Sequence, residues 1–416
     1  MNLHKCLDRR YLDFLVFLHG MELSNFKVYD MFSAIRRGEI DLDYCYKFLA
    51  GLYGVLERSL GDPQLALYKL SISIPGTKLA DFLRGYGNVL LTSGDTLSYV
   101  SEALRSEFAS LRARINELLK SVEVLYEATL VAVLGIALLS VLPLWPLPHV
   151  VGVITLQSIG LIGYFMSAMI ARQMYYTLDS SLVFLDLLFL LSLGAVCIFT
   201  YYGLLASVLL LVVTRFTMSK HVKRLEEIER SSLRTLNEVH SRVALGNAVD
   251  LALLDTLKSS PLVEFRLIWY SFLNGLKGTD ILRNLTFPVL ASKVFSILGN
   301  LAHYSSPSST YTASILQFVD EIENLRKYVR EKAKYYVLYS GLVSALMAAS
   351  YIMITRMPLI IATNTSILGI YGYVSTISTA VPAGLLTRGT FTLSNTAILA
   401  VAIASIILLT ISTGIL

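Results

Sequence analysis

The chain has 416 residues, and its mean hydropathy of +0.61 comes with only 16% charged residues, well below the roughly 25% of an ordinary soluble protein. A net charge of +5 is modest: it fits the basic flanks of membrane spans and does not suggest nucleic-acid binding. Cys6, Cys45 and Cys197 lie far apart with no CxxC pair, so the sequence suggests neither a disulfide framework nor a metal site.

The charge is not spread evenly. Residues 1–120 and 219–335 hold 57 of the 65 charged residues. The chain therefore reads as four segments: a polar block over 1–120, an apolar region over 121–218, a second polar block over 219–335 and a second apolar region over 336–416. Its N-terminus, MNLHKCLDRRYLDFLVFLHG, starts basic, but the apolar run is short and is broken by Asp13. It makes a poor signal peptide. Pro63, Pro75, Pro261 and Pro288 punctuate the polar blocks as helix breaks.

From Leu97 the apolar positions run Leu97, Val100, Leu104, Phe108, Leu111, Ile115, Leu118, Val122 and Leu125. Spacings of three and four throughout predict one helix with a single buried stripe. Glu102, Arg105, Arg112, Glu117 and Lys120 fall between them and are expected in solvent. No sustained period-two alternation occurs in either block, so an all-α fold is expected.

A membrane span needs about 20 apolar residues. Residues 126–145 and 149–170 qualify. Residues 181–216 would make a single helix of about 54 Å, too long for a hydrocarbon core of about 30 Å, and are divided into two spans near FTYYG. Residues 336–355, 358–386 and 391–414 complete a count of seven. Arg215, Lys220, Lys223 and Arg224 follow the fourth span, and Arg326, Lys327, Arg330, Lys332 and Lys334 precede the fifth. By the positive-inside rule both polar blocks face the cytoplasm. Four spans lie between them, and the C-terminus is outside.

The segment YGNVLLTSGDTLSYVSEALRSEF at 86–108 has a distant counterpart in LGNLAHYSSPSSTYTASILQF at 298–318. At an offset of 212, Gly87 and Asn88 fall on Gly299 and Asn300. Beyond the turn, at 211, Leu104, Phe108, Leu111 and Leu118 fall on Ile315, Val319, Ile322 and Val329. Each half reads helix, polar turn, long amphipathic helix, span, the mark of a duplicated architecture. Gly94 can take the left-handed conformation that ends a helix, and Asp95 can cap the next one. In the second copy SSPSST supplies capping hydroxyls, with Pro307 suited to a first turn. The plainer reading of Gly87, Gly94, Asp95, Gly299 and Pro307 is ordinary helix punctuation.

This layout resembles the type II secretion system F-domain family, and within it the platform proteins of archaeal type IV pili and archaella. The resemblance rests on the block ending LLTSGDTLSYVSEALRSEFASLRARINELLKSVEVLYEATL, on the degenerate copy ending FVDEIENLRKYVREKAKYYVLYSGLV, and on the extra spans. It covers nearly the whole chain from about residue 40. SGDTL sits where the family has a small residue and a glycine before a leucine-bearing helix start; in the second copy Ser306 or Pro307 replaces that glycine. The resemblance implies a polytopic, non-enzymatic scaffold without cofactor or metal. Its partners would be a hexameric secretion ATPase and pilin subunits; the residues themselves add membrane lipids and a second copy in a homodimer or other homo-oligomer, and no nucleic acid.

No GxxxxGK, HExxH, GxSxG or dinucleotide glycine fingerprint occurs, so an enzymatic reading has no motif to stand on. Asp179 and Asp186, seven apart at the start of the third span, can form an intramembrane polar site, or can be an interfacial acid and a helix-bonding acid. Glu123 and Glu127 read as interfacial. Gly163, Ser167 and Ala171, and Gly341, Ala345 and Ala349, allow close helix approach within the monomer, with a second copy, or with a pilin. Lys220, Lys223 and Arg224 can meet anionic lipid or an ATPase; Arg36 and Arg37, farther from any span, suit an ATPase or a solvated face. A secondary transporter built from repeats is the rival reading, with a membrane-embedded enzyme behind it.

Overall fold

A computed structural model of the chain describes residues 3–40, 42–141, 149–174, 180–195, 200–274, 288–303, 309–356 and 365–413. Fifteen α-helices and no strands occur among these residues. They are α1 (Leu3–Leu23), α2 (Val28–Arg37), α3 (Tyr44–Leu60), α4 (Pro63–Ser73), α5 (Lys78–Thr92), α6 (Thr96–Val141), α7 (His149–Met174), α8 (Ser180–Ala195), α9 (Thr200–Ala244), α10 (Val249–Ser259), α11 (Val263–Leu273), α12 (Val289–His303), α13 (Ser309–Arg356), α14 (Thr365–Arg388) and α15 (Asn395–Thr413). The all-α expectation holds.

Two compact units divide the chain. The first joins Met1–Arg112 to Leu225–Glu323, and the second joins Ala113–Arg224 to Asn324–Leu416. The cuts fall inside α6, α9 and α13, each of which is unbroken across its cut.

In the first unit the helix ends follow local chemistry. Asp62 accepts from the amides of Gln64 (2.8 Å) and Leu65 (3.4 Å), with Pro63 at the first helical position of α4, where a missing amide proton costs nothing. Thr77 Oγ1 accepts from the Ala80 amide (3.1 Å) to cap α5. Gly38 and Gly61 close α2 and α3 at positive φ, which glycine adopts without a Cβ penalty. Helix α1 is buried nearly all round from Phe14 to Leu18. Phe14 stacks on Tyr46 (centroids 5.2 Å apart) and meets Phe82 edge-on, pairings that add to area burial. Asp13 interrupts the apolar run of α1 because it forms a charge cluster. Lys293 Nζ lies 2.7 Å from Oδ1, and Arg10 lies 3.1 Å from Oδ2 while also reaching Asp43. Burial alone would raise the Asp13 carboxyl, but the two cations outweigh it and hold it below its ordinary value.

Cys6 and Cys45 form a disulfide, with Cα atoms 6.3 Å apart. This corrects the expectation of no disulfide. The two cysteines, 39 residues apart, sit near the starts of α1 and α3, and only the tertiary packing of those helices brings them together.

In the second unit α14 is the central element. Residues Tyr371 to Leu386 are buried almost without interruption, and α7 and α15 pack along it. Gly152, Gly160 and Gly163 of α7 face Tyr371, Ser378 and Pro382 of α14. A Cβ on Gly160 would stand 2.9 Å from Ser378 Cβ and 3.2 Å from its Cα, so the backbones approach as only glycine permits. The buried loop at 389–394 joins α14 to α15. Tyr126 donates to the Thr379 carbonyl (2.5 Å) and stacks on Tyr336.

Val151–Ala171 and Leu205–Ala244 are each long and apolar enough, by length and composition, to cross a membrane. The surface of the second unit is apolar over much of its extent. Val131, Phe165, Leu191, Leu209, Leu338 and Ile406 are all exposed. The split expected within 181–216 lies next to residues 196–199, outside the described set; α8 ends before them and α9 starts after them.

Candidate functional site

The turn at SGDTL is built as its residue types require. Gly94 has φ +71°, and its amide donates to the Val89 carbonyl (2.9 Å). Asp95 accepts from the Ser98 amide (3.2 Å) at the start of α6, and the serine's hydrogen bonds hold the exposed Asp95 carboxyl below its ordinary value. Gly87 and Gly299 lie inside α5 and α12. They mark the helices that lead into the turns and are not turn residues, a correction to the sequence reading. Pro307 lies outside the described residues.

Beneath the turn lies a buried polar cluster. Glu22, 2% exposed, accepts from Tyr86 Oη, from Thr96 Oγ1 (2.7 Å) and from Lys27 Nζ (2.8 Å). Lys27 also donates to Thr96 (2.5 Å), and Tyr86 Oη accepts from the Val28 amide (3.2 Å). Burial, with the hydrogen bond to Glu22, pushes the Tyr86 hydroxyl well above its ordinary value. One carboxylate thus ties the α1–α2 turn, α5 and the first residue of α6 together. Sequence reading passed over Glu22, whose only visible signal is an acid inside an apolar helix.

The structure adds a second internal correspondence, at an offset of 221. Asn25 (φ +64°) and Gly246 (φ +94°) are the left-handed residues of matching turns. Phe26 donates to the Met21 carbonyl (3.0 Å) as Asn247 donates to that of Arg242 (3.1 Å); Met31 donates to Lys27 (3.1 Å) as Ala252 does to Ala248 (2.9 Å). His19 and His240 are also 221 apart, and each bonds a long helix. His19 Nε2 lies 3.0 Å from Ser101 Oγ of α6, and His240 Nδ1 lies 2.7 Å from Thr312 Oγ1 of α13. Ser101 and Thr312 are themselves related by 211, the offset read from the sequence.

His19 goes further than His240. Its Nδ1 lies 2.7 Å from Ser314 Oγ of α13, so one imidazole joins both long helices. It borders a cavity of about 220 Å³ lined also by Leu104, Arg105, Phe108, Phe318 and Glu321. Burial holds His19 below its ordinary value, the Glu22 charge opposing in part. The unfolded chain takes a proton near pH 6.5 and the folded chain only at lower pH. The stability from this residue is therefore full above the unfolded value and falls as pH drops toward the folded one. We expect His19→Gln to flatten the fall in Tm between about pH 7.5 and about pH 5.5; parallel profiles for the two proteins would contradict the assignment.

Arg36 pairs with Glu57 (3.5 Å) and lies against Gly54, where a Cβ would stand, while Arg37 pairs with Glu39 through two bonds of 2.6 and 3.0 Å. Both guanidiniums already have partners at the surface. Lys220 and Lys223 are exposed on α9, and Arg224 beside them is half-buried. Asp186 is fully buried and accepts from the amides of Phe391 and Thr392 (3.0 Å each) and from Thr392 Oγ1 (2.6 Å). It satisfies the backbone of the 389–394 loop, which would otherwise carry unpaired groups into the interior. Arg215 and Arg388 add bonds to the same loop and to Asn395. Asp179 lies outside the described residues. Glu123 pairs with Lys332 (3.1 Å). The small-residue stripe from Gly163 to Ala171 packs inside the second unit, whereas Gly341, Ala345 and Ala349 are exposed on α13. Comparison with protein-family models, with curated proteins and with solved structures finds no match to this chain.

Proposed function

We propose that the chain is a polytopic membrane protein that serves as a non-enzymatic platform for an archaeal type IV filament or related secretion machine. In this reading it couples a cytoplasmic hexameric secretion ATPase to the extraction of pilin subunits from the bilayer. The observation that carries it is the course of α6, α9 and α13. Each runs unbroken between a charge-rich segment and an apolar, nearly uncharged one, so a displacement of one end is a displacement of the other. Apolar side chains on the outside of the second unit suit hydrocarbon rather than water. The basic residues that follow the fourth apolar segment and precede the fifth suit a cytoplasmic location for both polar blocks. The matching turns and histidines of the two polar blocks suit a duplicated module.

Several residues take roles in this account. Lys220 and Lys223 face anionic lipid or the ATPase. The exposed small-residue face on α13 receives a pilin helix or a second copy. Asp186 is structural: its three accepted hydrogen bonds hold the 389–394 loop. A disulfide between Cys6 and Cys45 in the cytoplasm fits an organism whose cytosol is rich in disulfides, as in hyperthermophilic archaea and bacteria. Crosslinking in cells followed by purification of the full chain should recover an ATPase with a Walker motif together with small single-helix subunits. Recovery of neither, with a pH- or sodium-driven solute flux in liposomes, would replace the platform by a transporter.

A further inference from the structure

We infer that the cleft beside His19 binds a small zwitterion carrying an apolar side chain, an amino acid or a close analogue. The two histidine sites provide an internal comparison. His240 makes its bond to Thr312, and that bond suffices to fasten a helix. His19 makes the equivalent bond to Ser101, adds a second to Ser314, and borders open space of about 220 Å³. The additions exceed what fastening one helix requires.

The floor of the cleft is neutral and has its protons assigned. Ser101 Oγ donates to the Leu97 carbonyl (2.8 Å), so it accepts from His19 and the proton sits on Nε2. Nδ1 then accepts from the Ser314 hydroxyl (2.7 Å). The walls, by contrast, carry unspent charge. Arg105 of α6 and Glu321 of α13 both line the cleft, and neither forms an ion pair or hydrogen bond with any other described residue. A guanidinium is suited to a carboxylate, and a carboxylate to an ammonium group. Leu104, Phe108 and Phe318 supply the apolar wall, the two rings lying 5.9 Å apart. A volume of 220 Å³ equals the share of about seven liquid waters. That is room for an amino acid. One charge of each sign beside an apolar surface is the complement of a zwitterion; a simple acid or amine would leave the opposite wall charge facing it.

The test uses the purified full-length chain in detergent and titration calorimetry with L-leucine, L-methionine and L-phenylalanine. The comparison ligands are 4-methylpentanoate and isoamylamine, which are leucine stripped of its amine and of its carboxylate. We expect saturable binding of at least one amino acid, with both stripped analogues at least about tenfold weaker, as loss of a charged hydrogen bond implies. Arg105→Gln and Glu321→Gln should each weaken binding by about the same factor while leaving the ligand-free Tm unchanged, because neither side chain has a partner to lose among the described residues. The inference is overturned if none of the three amino acids binds, if either stripped analogue binds as tightly as leucine, or if the double variant binds as the wild type does. None of these outcomes depends on whether the chain assembles filaments.

Discussion

Replacing Gly160 with leucine is expected to prevent α7 from seating against α14 and to leave little folded protein. Even alanine there puts a carbon 2.9 Å from Ser378 Cβ and 3.2 Å from its Cα, distances that no rotamer change relieves. Overpacking of this kind costs about 1–3 kcal/mol for one added carbon, and a leucine adds three more. The effect is large because α14 is the buried centre of its unit and has no free face toward which to move. Gly341 on α13 is the control, since a Cβ there meets nothing within 4 Å. Thermal unfolding of Gly160→Ala, Gly160→Leu and Gly341→Ala should rank them in that sense, with Gly341→Ala like wild type. A Gly160→Leu protein as stable as wild type would refute the close packing of α7 on α14.

Glu22→Ala is expected to cost about 3–5 kcal/mol, the range for removing one partner of a buried ion pair. Lys27 is partly exposed and can turn toward water, which places the loss at the lower end. Tyr86 Oη cannot do so: it is buried, and its hydroxyl donates to Glu22. Glu22→Gln keeps an acceptor for Tyr86 and Thr96 and should cost less. Chemical denaturation of the two variants checks the order, and equal losses would mean that the charge rather than the hydrogen bonding matters. Because Thr96 is the first residue of α6, this cluster sets where the long helix begins.

Much of the helical architecture was legible in the sequence because helix periodicity is local. The stripe from Leu97 to Leu125 has no exposed member, and Glu102, Arg105, Arg112, Glu117 and Lys120 are all exposed, as the spacing required. Gly94 and Asp95 occupy the turn that their conformational preferences predicted. What the sequence hid depends on which helices meet. Glu22, Tyr86 and Thr96 are separated by 64 and 74 residues, and nothing in their own neighbourhoods announces a cluster. Cys6 and Cys45 failed every spacing rule because α1 and α3 bring them together through tertiary packing. Asp186 was visible as an acid in an apolar run, but its partners lie more than 200 residues away on a loop that the hydropathy pattern ran through. His19 and His240 have no common sequence context to mark them as a pair. Their equivalence emerges only once Asn25 and Gly246 are seen to share a left-handed backbone, since the residues themselves differ.

The topology of the two polar blocks is the most direct test of the account. Single cysteines introduced by Ser59→Cys in the first block and Ser259→Cys in the second, each on an exposed position and in a Cys197→Ser background, can be labelled in intact cells with a membrane-impermeant maleimide. With both blocks in the cytoplasm, neither is labelled until the cells are opened, and both label fully afterwards. Labelling of one in intact cells and not the other would place the blocks on opposite faces of the membrane and contradict it.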